Sequence, residues 1–148
     1  MHKQCRVLVT GAGSGVGQAI VKSLRVSNLP LTIISADISP MNSALYCTDE
    51  AVLIPAVEKD GSLQKIIALL SENNIDVVMI GSEYDLIFFA THKDEIEAEA
   101  KCIIIVAPLK TINIADDKWL TAEFLRKKGL PYAEAYLPEN LDDAIRSE

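Results

Sequence analysis

A glycine-rich turn between an apolar segment and a helical pattern constrains the fold of this chain more than any other feature. Residues 7–9 (VLV) form a continuous apolar run, which is typical of a buried strand. Residues 11–17 (GAGSGVG) place glycine at every second position, and apolar residues at helical spacing follow from Ile20 to Leu24. A strand, a glycine turn and a helix in this order are typical of the start of an α/β domain, in which ligands bind beside the turn.

Apolar segments continue to alternate with helical patterns along the chain. Further strands are predicted at residues 31–36, 51–54, 77–80 and 102–106. Because strands and helices alternate at this spacing, we predict an α/β fold with a Rossmann-like, doubly wound parallel sheet of about five strands. Aliphatic side chains far outnumber aromatic ones, which make up 5% of the chain, and this favours such a sheet over a small β-barrel.

The pattern changes near Asp116. We predict a complete domain at residues 1–115 and the beginning of a second, incomplete domain at residues 116–148. In this second segment we expect a helix at 117–128, a strand at 132–136 that starts a new sheet, and a helix from Leu141.

Charge and cysteine content narrow the function classes. The net charge of −7 argues against nucleic-acid binding, which needs a clustered basic surface. Cys5, Cys47 and Cys102 lack metal-ligand spacing and are expected to be reduced, buried thiols; with only two histidines, no metal site is predicted. The apolar runs are too short to span a bilayer, and the N-terminus lacks the apolar core of a signal peptide. We therefore expect a soluble, cytoplasmic protein without a membrane partner. The sequence does not indicate an oligomeric state.

The glycine turn has three interpretations. Its glycines could serve tight packing alone, or the turn could present backbone N–H groups to an anionic ligand. It could also bind NAD(P), because its spacing resembles that of short-chain dehydrogenases and Asp37 follows Gly17 by 20 residues, where a ribose-binding acid belongs. No tyrosine is followed four residues later by lysine, as dehydrogenase catalysis of that type requires, so only a non-catalytic NAD(P)-binding module stays open. A Walker P-loop is excluded, because the chain has no Gly-Lys-Ser/Thr.

The whole chain resembles the opening of ATP-grasp proteins related to the large chain of carbamoyl-phosphate synthase. The resemblance covers nearly all 148 residues and rests on the order of several short motifs: 7–13 (VLVTGAG), 36–41 (ADISPM), 44–49 (ALYCTD), 52–55 (VLIP), 117–118 (DK) and 124–131 (FLRKKGLP). In that family the first domain is a Rossmann-like pre-ATP-grasp domain, which packs against a central domain and a lid that together hold Mg-ATP.

The resemblance implies a ligase that activates a carboxylate as an acyl phosphate for attack by an amine or ammonia. ATP and Mg²⁺ are then expected only in the full-length enzyme, with no cofactor tightly bound to this piece. Its partners would be the remainder of the enzyme, in the same or a separate chain, and a small carboxylate or amine substrate. The catalytic parts of the family follow the Asp-Lys helix, so this chain is expected to be inactive alone, as a truncated piece or a split subunit. A structural partner of a separate catalytic subunit is a further alternative.

The resemblance also assigns site residues. It implies substrate contacts in the glycine turn and in the loop after the fourth strand, at Gly11, Gly13, Gly15, Glu83 and Asp85. The same two acids could instead stabilise the first turn of a helix, where Ser82 and Asp85 have the spacing of a capping box. The family's proline-rich pattern is replaced here by residues 81–84 (GSEY).

Two further residues have alternative roles. Asp37 could contact the ligand or only turn the Asp-Ile-Ser-Pro segment. Lys118 corresponds to the family's Asp-Lys pair and is implied to reach ATP phosphates in a full-length ligase. Its plainer role is that of a solvated residue in the first turn of a helix capped by Asp116 or Asp117.

Overall fold

A computed structural model describes residues 4–140 of the chain; the helix expected from Leu141 lies outside them. The strands are β1 (Cys5–Val9), β2 (Leu31–Asp37), β3 (Glu50–Leu53), β4 (Val77–Met79) and β5 (Ile103–Ile105). The helices are α1 (Gly15–Val26), α2 (Ser62–Glu72), α3 (Glu83–Thr91), α4 (Lys93–Ala100), α5 (Leu109–Asp116) and α6 (Lys118–Lys127). Single 3-10 turns occupy Ser43–Tyr46 and Pro138–Asn140.

All five strands form one parallel sheet in the order β3-β2-β1-β4-β5, which confirms the predicted fold. From β1 the chain first adds β2 and β3 on one side, and it then returns to add β4 and β5 on the other. The loops that follow β1 and β4 therefore leave the sheet side by side and in opposite directions. Such a switch point opens a crevice at the carboxyl ends of the strands.

The hydrophobic core lies on the face of the sheet that α2, α3 and α4 cover. Its central side chains are aliphatic residues of the strands and one large apolar residue from each helix, all at most 2% exposed: Leu8, Ile34, Val78, Ile104, Ile66, Phe89 and Ile96. Burial of apolar surface at roughly 25 cal/mol per Å² stabilises this layer and holds the carboxyl ends of the strands in place.

By its internal contacts the chain divides into two compact units, Met1–Val106 and Ala107–Glu148. The first contains the sheet and α1 to α4. In the second, α5 and α6 are joined by a hydrogen bond from the Thr121 hydroxyl to the Ile114 carbonyl (2.7 Å). The domain boundary proposed at residues 115 and 116 stays a prediction.

Two local predictions were wrong. Residues 132–136 were expected to form a strand, but residues 131–137 adopt neither helix nor strand. A strand needs a neighbour to satisfy its N–H and C=O groups, and sequence pattern alone does not supply one. All three cysteines were expected to be buried, but Cys47 is exposed and Cys5 is half-buried, whereas Cys102 is buried.

Candidate functional site

The glycine turn is fastened to the loop that follows β4. Ser14 caps α1, because its hydroxyl oxygen accepts a hydrogen bond from the Gly17 N–H (2.9 Å). The same hydroxyl donates to the Gly81 carbonyl (2.5 Å), and the Gly81 N–H faces the Thr10 hydroxyl oxygen at 3.4 Å. The two loops at the switch point therefore form one connected structure.

Three glycines allow this close approach. A Cβ on Gly17 would lie 2.3 Å from the Gly11 carbonyl oxygen, and one on Gly81 would lie 2.3 Å from the Thr10 carbonyl oxygen. Gly11 has a φ of +50°, and a Cβ there would lie 2.6 Å from the Ser82 Cβ. Gly15, in contrast, has open space around its Cβ position. Backbone packing thus accounts for much of the glycine pattern.

Asp37, at the end of β2, is held by the loops around it. Its Oδ1 accepts from the Ser39 N–H (3.1 Å), and its Oδ2 accepts from the Asn42 side-chain amide (2.8 Å). Oδ2 also faces the Gly13 N–H at 3.4 Å. Asp37 is 8% exposed. The carboxylate thus ties the tip of the glycine turn to the segment that follows β2.

A cleft of roughly 370 Å³ opens at the switch point. Its walls come from the carboxyl ends of four of the five strands, β1 to β4, and the segments that follow them: Gly11 and Ser14, Asp37 and Ile38, Ile54, Ala56, Val57 and Glu58, and Ser82, Tyr84 and Asp85. Gly11, Asp37 and Asp85, three of the predicted site residues, are therefore brought together. Gly13 and Gly15 lie outside the lining, as does Glu83, which is exposed at the start of α3.

Asp85 is as deeply buried as Asp37, with 8% of its surface exposed. Burial raises the pKa of its carboxyl group, and a hydrogen bond with Thr10 partly offsets that shift. Glu58 and Asp37 raise the pKa further, because their negative charges disfavour a third. The alternative of a capping box is wrong: the Ser82 hydroxyl makes no hydrogen bond to α3, and only its carbonyl accepts from the Asp85 N–H (3.2 Å).

Eight residues of the lining were not predicted as site residues: Ser14, Ile38, Ile54, Ala56, Val57, Glu58, Ser82 and Tyr84. Glu58 follows β3 in a segment without glycine or motif, so only the strand order places it near the switch point. The lining contains three carboxylates and no lysine, arginine or histidine. The three negative charges disfavour phosphate groups in this cleft, since like charges repel and the lining has no basic side chain to bind them.

Lys118 belongs to the C-terminal unit. It is the exposed first residue of α6, which Asp117 caps by accepting from the Leu120 N–H (2.9 Å). The predicted cap is therefore confirmed, and the role of Lys118 toward ATP stays a prediction. A second cavity of about 320 Å³ lies within this unit and contains none of the predicted site residues; it is lined by Trp119, Ala122, Glu123, Arg126, Tyr132, Glu134, Ala135, Tyr136 and Asn140.

Between residues 4 and 140, no group of three or more His, Cys, Asp or Glu side chains could hold a metal ion. No helix in this part of the chain is long and apolar enough to cross a membrane.

Comparison with known families gives one match. The family model described as "PylC-like, N-terminal domain" matches residues 7–105, about two-thirds of the chain. This span begins in β1 and ends with β5, so it contains all of the sheet except the first two residues of β1, and every residue that lines the cleft. No curated protein sequence matches the chain.

Solved structures share the fold. N5-carboxyaminoimidazole synthetase from Staphylococcus aureus, in complex with ADP, gives a TM-score of 0.64 at 16% identity, covering 97% of this chain and 36% of that one. The biotin carboxylase domain of Hydrogenobacter thermophilus 2-oxoglutarate carboxylase, solved with MgADP and bicarbonate, gives 0.63 at 20% identity, covering 95% and 31%. The biotin carboxylase domain of a single-chain bacterial carboxylase gives 0.61 at 16% identity, covering 97% and 34%. The chain thus spans about a third of the length of these structures.

Proposed function

Because the chain belongs to the PylC-like N-terminal domain family, whose members are pre-ATP-grasp domains of ATP-grasp carboxylases and ligases, we propose that it supplies the substrate side of an ATP-dependent ligase. The expected identification as a pre-ATP-grasp domain is confirmed, and carbamoyl-phosphate synthase is a close relative of these enzymes. The proposed reaction joins a small carboxylate, activated as an acyl phosphate, to an amine or ammonia.

The cleft is the observation that carries this proposal. It brings Gly11 of the first loop and Asp85 of the fourth-strand loop to one surface, as the family resemblance implied. We propose that a substrate enters this cleft, contacts the backbone of Gly11 and donates a hydrogen bond to the Asp85 carboxylate. Gly13, Gly15 and Glu83 lie outside the lining, so the cleft gives no support for substrate contact at these three positions, which stays a prediction.

ATP and Mg²⁺ are proposed to bind to other domains of the full-length enzyme. The cleft has no basic residue to hold a triphosphate, and transfer of a phosphoryl group needs cations that neutralise its charge. Lys118 is the one residue of this chain that we propose to reach the nucleotide. We therefore propose that the chain alone is inactive. We also propose that the protein is cytoplasmic.

The alternative of an NAD(P)-binding module is disfavoured by the geometry of Asp37. A ribose-binding acid needs carboxylate oxygens that are free to accept from the two ribose hydroxyls. Here each oxygen already accepts from a protein donor, Oδ1 from the Ser39 N–H and Oδ2 from the Asn42 amide, so each has at most one acceptor position left. The side chain of Asn42 also covers Gly13, since a Cβ on Gly13 would lie 1.6 Å from the Asn42 amide nitrogen. The Asn42 side-chain amide therefore fills the space at the tip of the glycine turn, beside Gly13.

A titration separates the two functions. The 148-residue chain is titrated with NADH and NADPH while the emission of the nicotinamide is followed. The ligase proposal predicts no saturable change up to about 1 mM, where binding would be worth only about 4 kcal/mol. Saturation at micromolar concentrations would replace the ligase proposal with the dinucleotide one.

A second experiment addresses inactivity. The chain is incubated with Mg-ATP and a panel of carboxylates and amines, and release of ADP is measured. We expect the blank rate with every pair; turnover above the blank with any carboxylate would show that the chain carries its own ATP site.

A further inference from the structure

We propose that Asn42 is a positioning residue for the cleft, which holds Asp37 and the tip of the glycine turn in one arrangement. The inference concerns the shape of the cleft and goes beyond the proposed function, since it does not depend on which ligand enters. Its tests likewise use the free chain, so that their failure would leave the ligase proposal in place.

The contacts of Asn42 require an amide. Its side-chain nitrogen donates to Asp37 Oδ2 (2.8 Å), and its side-chain oxygen accepts from the Ala44 N–H (3.1 Å). A carboxylate would keep the acceptor and lose the donor, while an aliphatic side chain would lose both. The amide also lies directly on Gly13, where a Cβ would be 1.6 Å from the nitrogen. Asn42 therefore fits only beside a glycine.

Asn42 acts on the cleft through its neighbours. It is absent from the cleft lining, but it orients the carboxylate of Asp37, which forms part of that lining. Asp37 Oδ2 in turn faces the Gly13 N–H, and the adjoining Ala12 N–H bonds the Ala36 carbonyl (3.2 Å). The turn is thus held to the end of β2 on one side of its tip. Gly11 and Ser14, which line the cleft, flank this anchored tip.

The isosteric variant Asn42→Asp tests the donor specifically. At pH 7 the new carboxylate has no proton to donate to Asp37. The hydrogen bond is therefore lost, and two negative charges lie side by side. We expect the melting temperature to fall by about 5 °C relative to the parent at pH 7. In acid, two neighbouring carboxyl groups can share a proton and so restore a hydrogen bond, and the difference measured near pH 4 should shrink to less than about 2 °C.

Two controls keep this test specific. Asn28→Asp makes the same chemical change at an exposed position, and it should lower the melting temperature by less than about 1 °C at either pH. Glu58 and Asp85, the other carboxyl groups of the cleft, are the same in both variants, so Asn42→Asp and Asn28→Asp differ only in where the new carboxylate stands. Equal behaviour of Asn42→Asp and Asn28→Asp would overturn the proposal.

Nuclear magnetic resonance of the ¹⁵N-labelled chain reports on position. In Asn42→Asp at pH 7 we expect amide shift changes at Gly11 and Ser14, with α2 unchanged, and a return toward the parent positions near pH 4. Changes spread evenly over the chain, or none at the two cleft residues, would mean that Asn42 serves stability alone and would overturn the positioning role.

A double-mutant cycle tests the contact with Gly13 independently. A Cβ on Gly13 must displace the Asn42 amide, so Gly13→Ala and Asn42→Ala remove the same hydrogen bond. We expect the double variant to lose no more melting temperature than the worse single variant. Losses that add in full would show that the two residues act separately, and the proposal would fail.

Discussion

The glycine pattern of α1 makes a sharp prediction, because two of its glycines differ only in what surrounds them. Gly15 and Gly17 both belong to the first turn of the helix. A Cβ on Gly15 would meet nothing within 4 Å, whereas a Cβ on Gly17 would lie 2.3 Å from the Gly11 carbonyl oxygen and 2.8 Å from the Ala12 Cα. Both contacts are with backbone, which cannot rotate away as a side chain can.

The magnitude follows from two opposed effects. Alanine in place of glycine favours a helix by up to about 1 kcal/mol, while overpacking of a tight site costs about 1 to 3 kcal/mol. For Gly17→Ala the clash should dominate, and we expect a net loss of about 2 kcal/mol in the free energy of unfolding. For Gly15→Ala only the helical gain remains, about 0.5 kcal/mol at this terminal position.

Far-UV circular dichroism follows the unfolding of both variants, in urea for the free energy of unfolding and on heating for the melting temperature. In a chain of this size the expected free energies correspond to a fall in melting temperature of about 7 °C for Gly17→Ala and a rise of about 2 °C for Gly15→Ala. If Gly17→Ala were as stable as Gly15→Ala, the close contact between the glycine turn and the backbone of α1 would not exist, and the explanation of the glycine pattern by packing would be refuted.

Three further predictions concern buried and partly buried groups. Burial raises the pKa of Asp85, so its ionised form destabilises the fold at neutral pH. Asp85→Asn should therefore raise the melting temperature by about 3 °C at pH 7, and this gain should vanish as the pH falls through the raised pKa. An unchanged melting temperature would contradict this cost of burial. Hydrogen bonds from Lys93 and from the Ile104 N–H (2.7 Å) lower the pKa of Glu97. The ionised side chain therefore stabilises the fold above the ordinary value of 4.5, and this stabilisation is lost as the pH falls through the lowered pKa. In urea titrations Glu97→Gln should cost about 1 kcal/mol of unfolding free energy at pH 7 and nothing near pH 3. A pH-independent loss would contradict that assignment. Burial also raises the pKa of the Cys102 thiol, so iodoacetamide should modify the exposed Cys47 in the folded chain and reach Cys102 only in urea, as mass spectrometry can show; early labelling of Cys102 would contradict its burial.

Periodicity was sufficient to predict the sheet, because each strand is bounded by turn residues and because α1 and α2 have a clear apolar stripe. The five predicted strands agree with β1 to β5 to within two residues at each end. The order β3-β2-β1-β4-β5 then brings the glycine turn and the loop of Asp85 together, as strand connectivity requires. Gly11 and Asp85 could therefore be predicted as neighbours from the sequence.

Contacts between distant loops could not be predicted in the same way. The amide of Asn42 meets Asp37 and Gly13 only because the segment after β2 folds back over the turn, and no periodic pattern encodes that path. Glu58 enters the cleft for a similar reason, from a loop without a motif. The strand expected at residues 132–136 was wrong because strand formation depends on a partner, which local sequence does not specify.

The central claim is that the cleft at the switch point receives the substrate of an ATP-grasp ligase. The most direct test is ADP release by the full-length enzyme, first with a panel of carboxylates and amines, and then with the active pair for the parent, Asp85→Asn and Asp94→Asn. Asp94 is an exposed acid in the first turn of α4, so its variant matches Asp85→Asn in chemistry and in helix position.

Loss of a hydrogen bond to a charged group is worth about 1.5 to 3 kcal/mol, or a factor of about 10 to 100 in affinity. We predict that Asp85→Asn raises KM for the substrate by this factor, leaves KM for ATP unchanged, and does so in a protein more stable than the parent, while Asp94→Asn behaves as the parent does. An unchanged KM for both substrates in Asp85→Asn would contradict the account, and a change confined to KM for ATP would place the nucleotide, rather than the substrate, in the cleft.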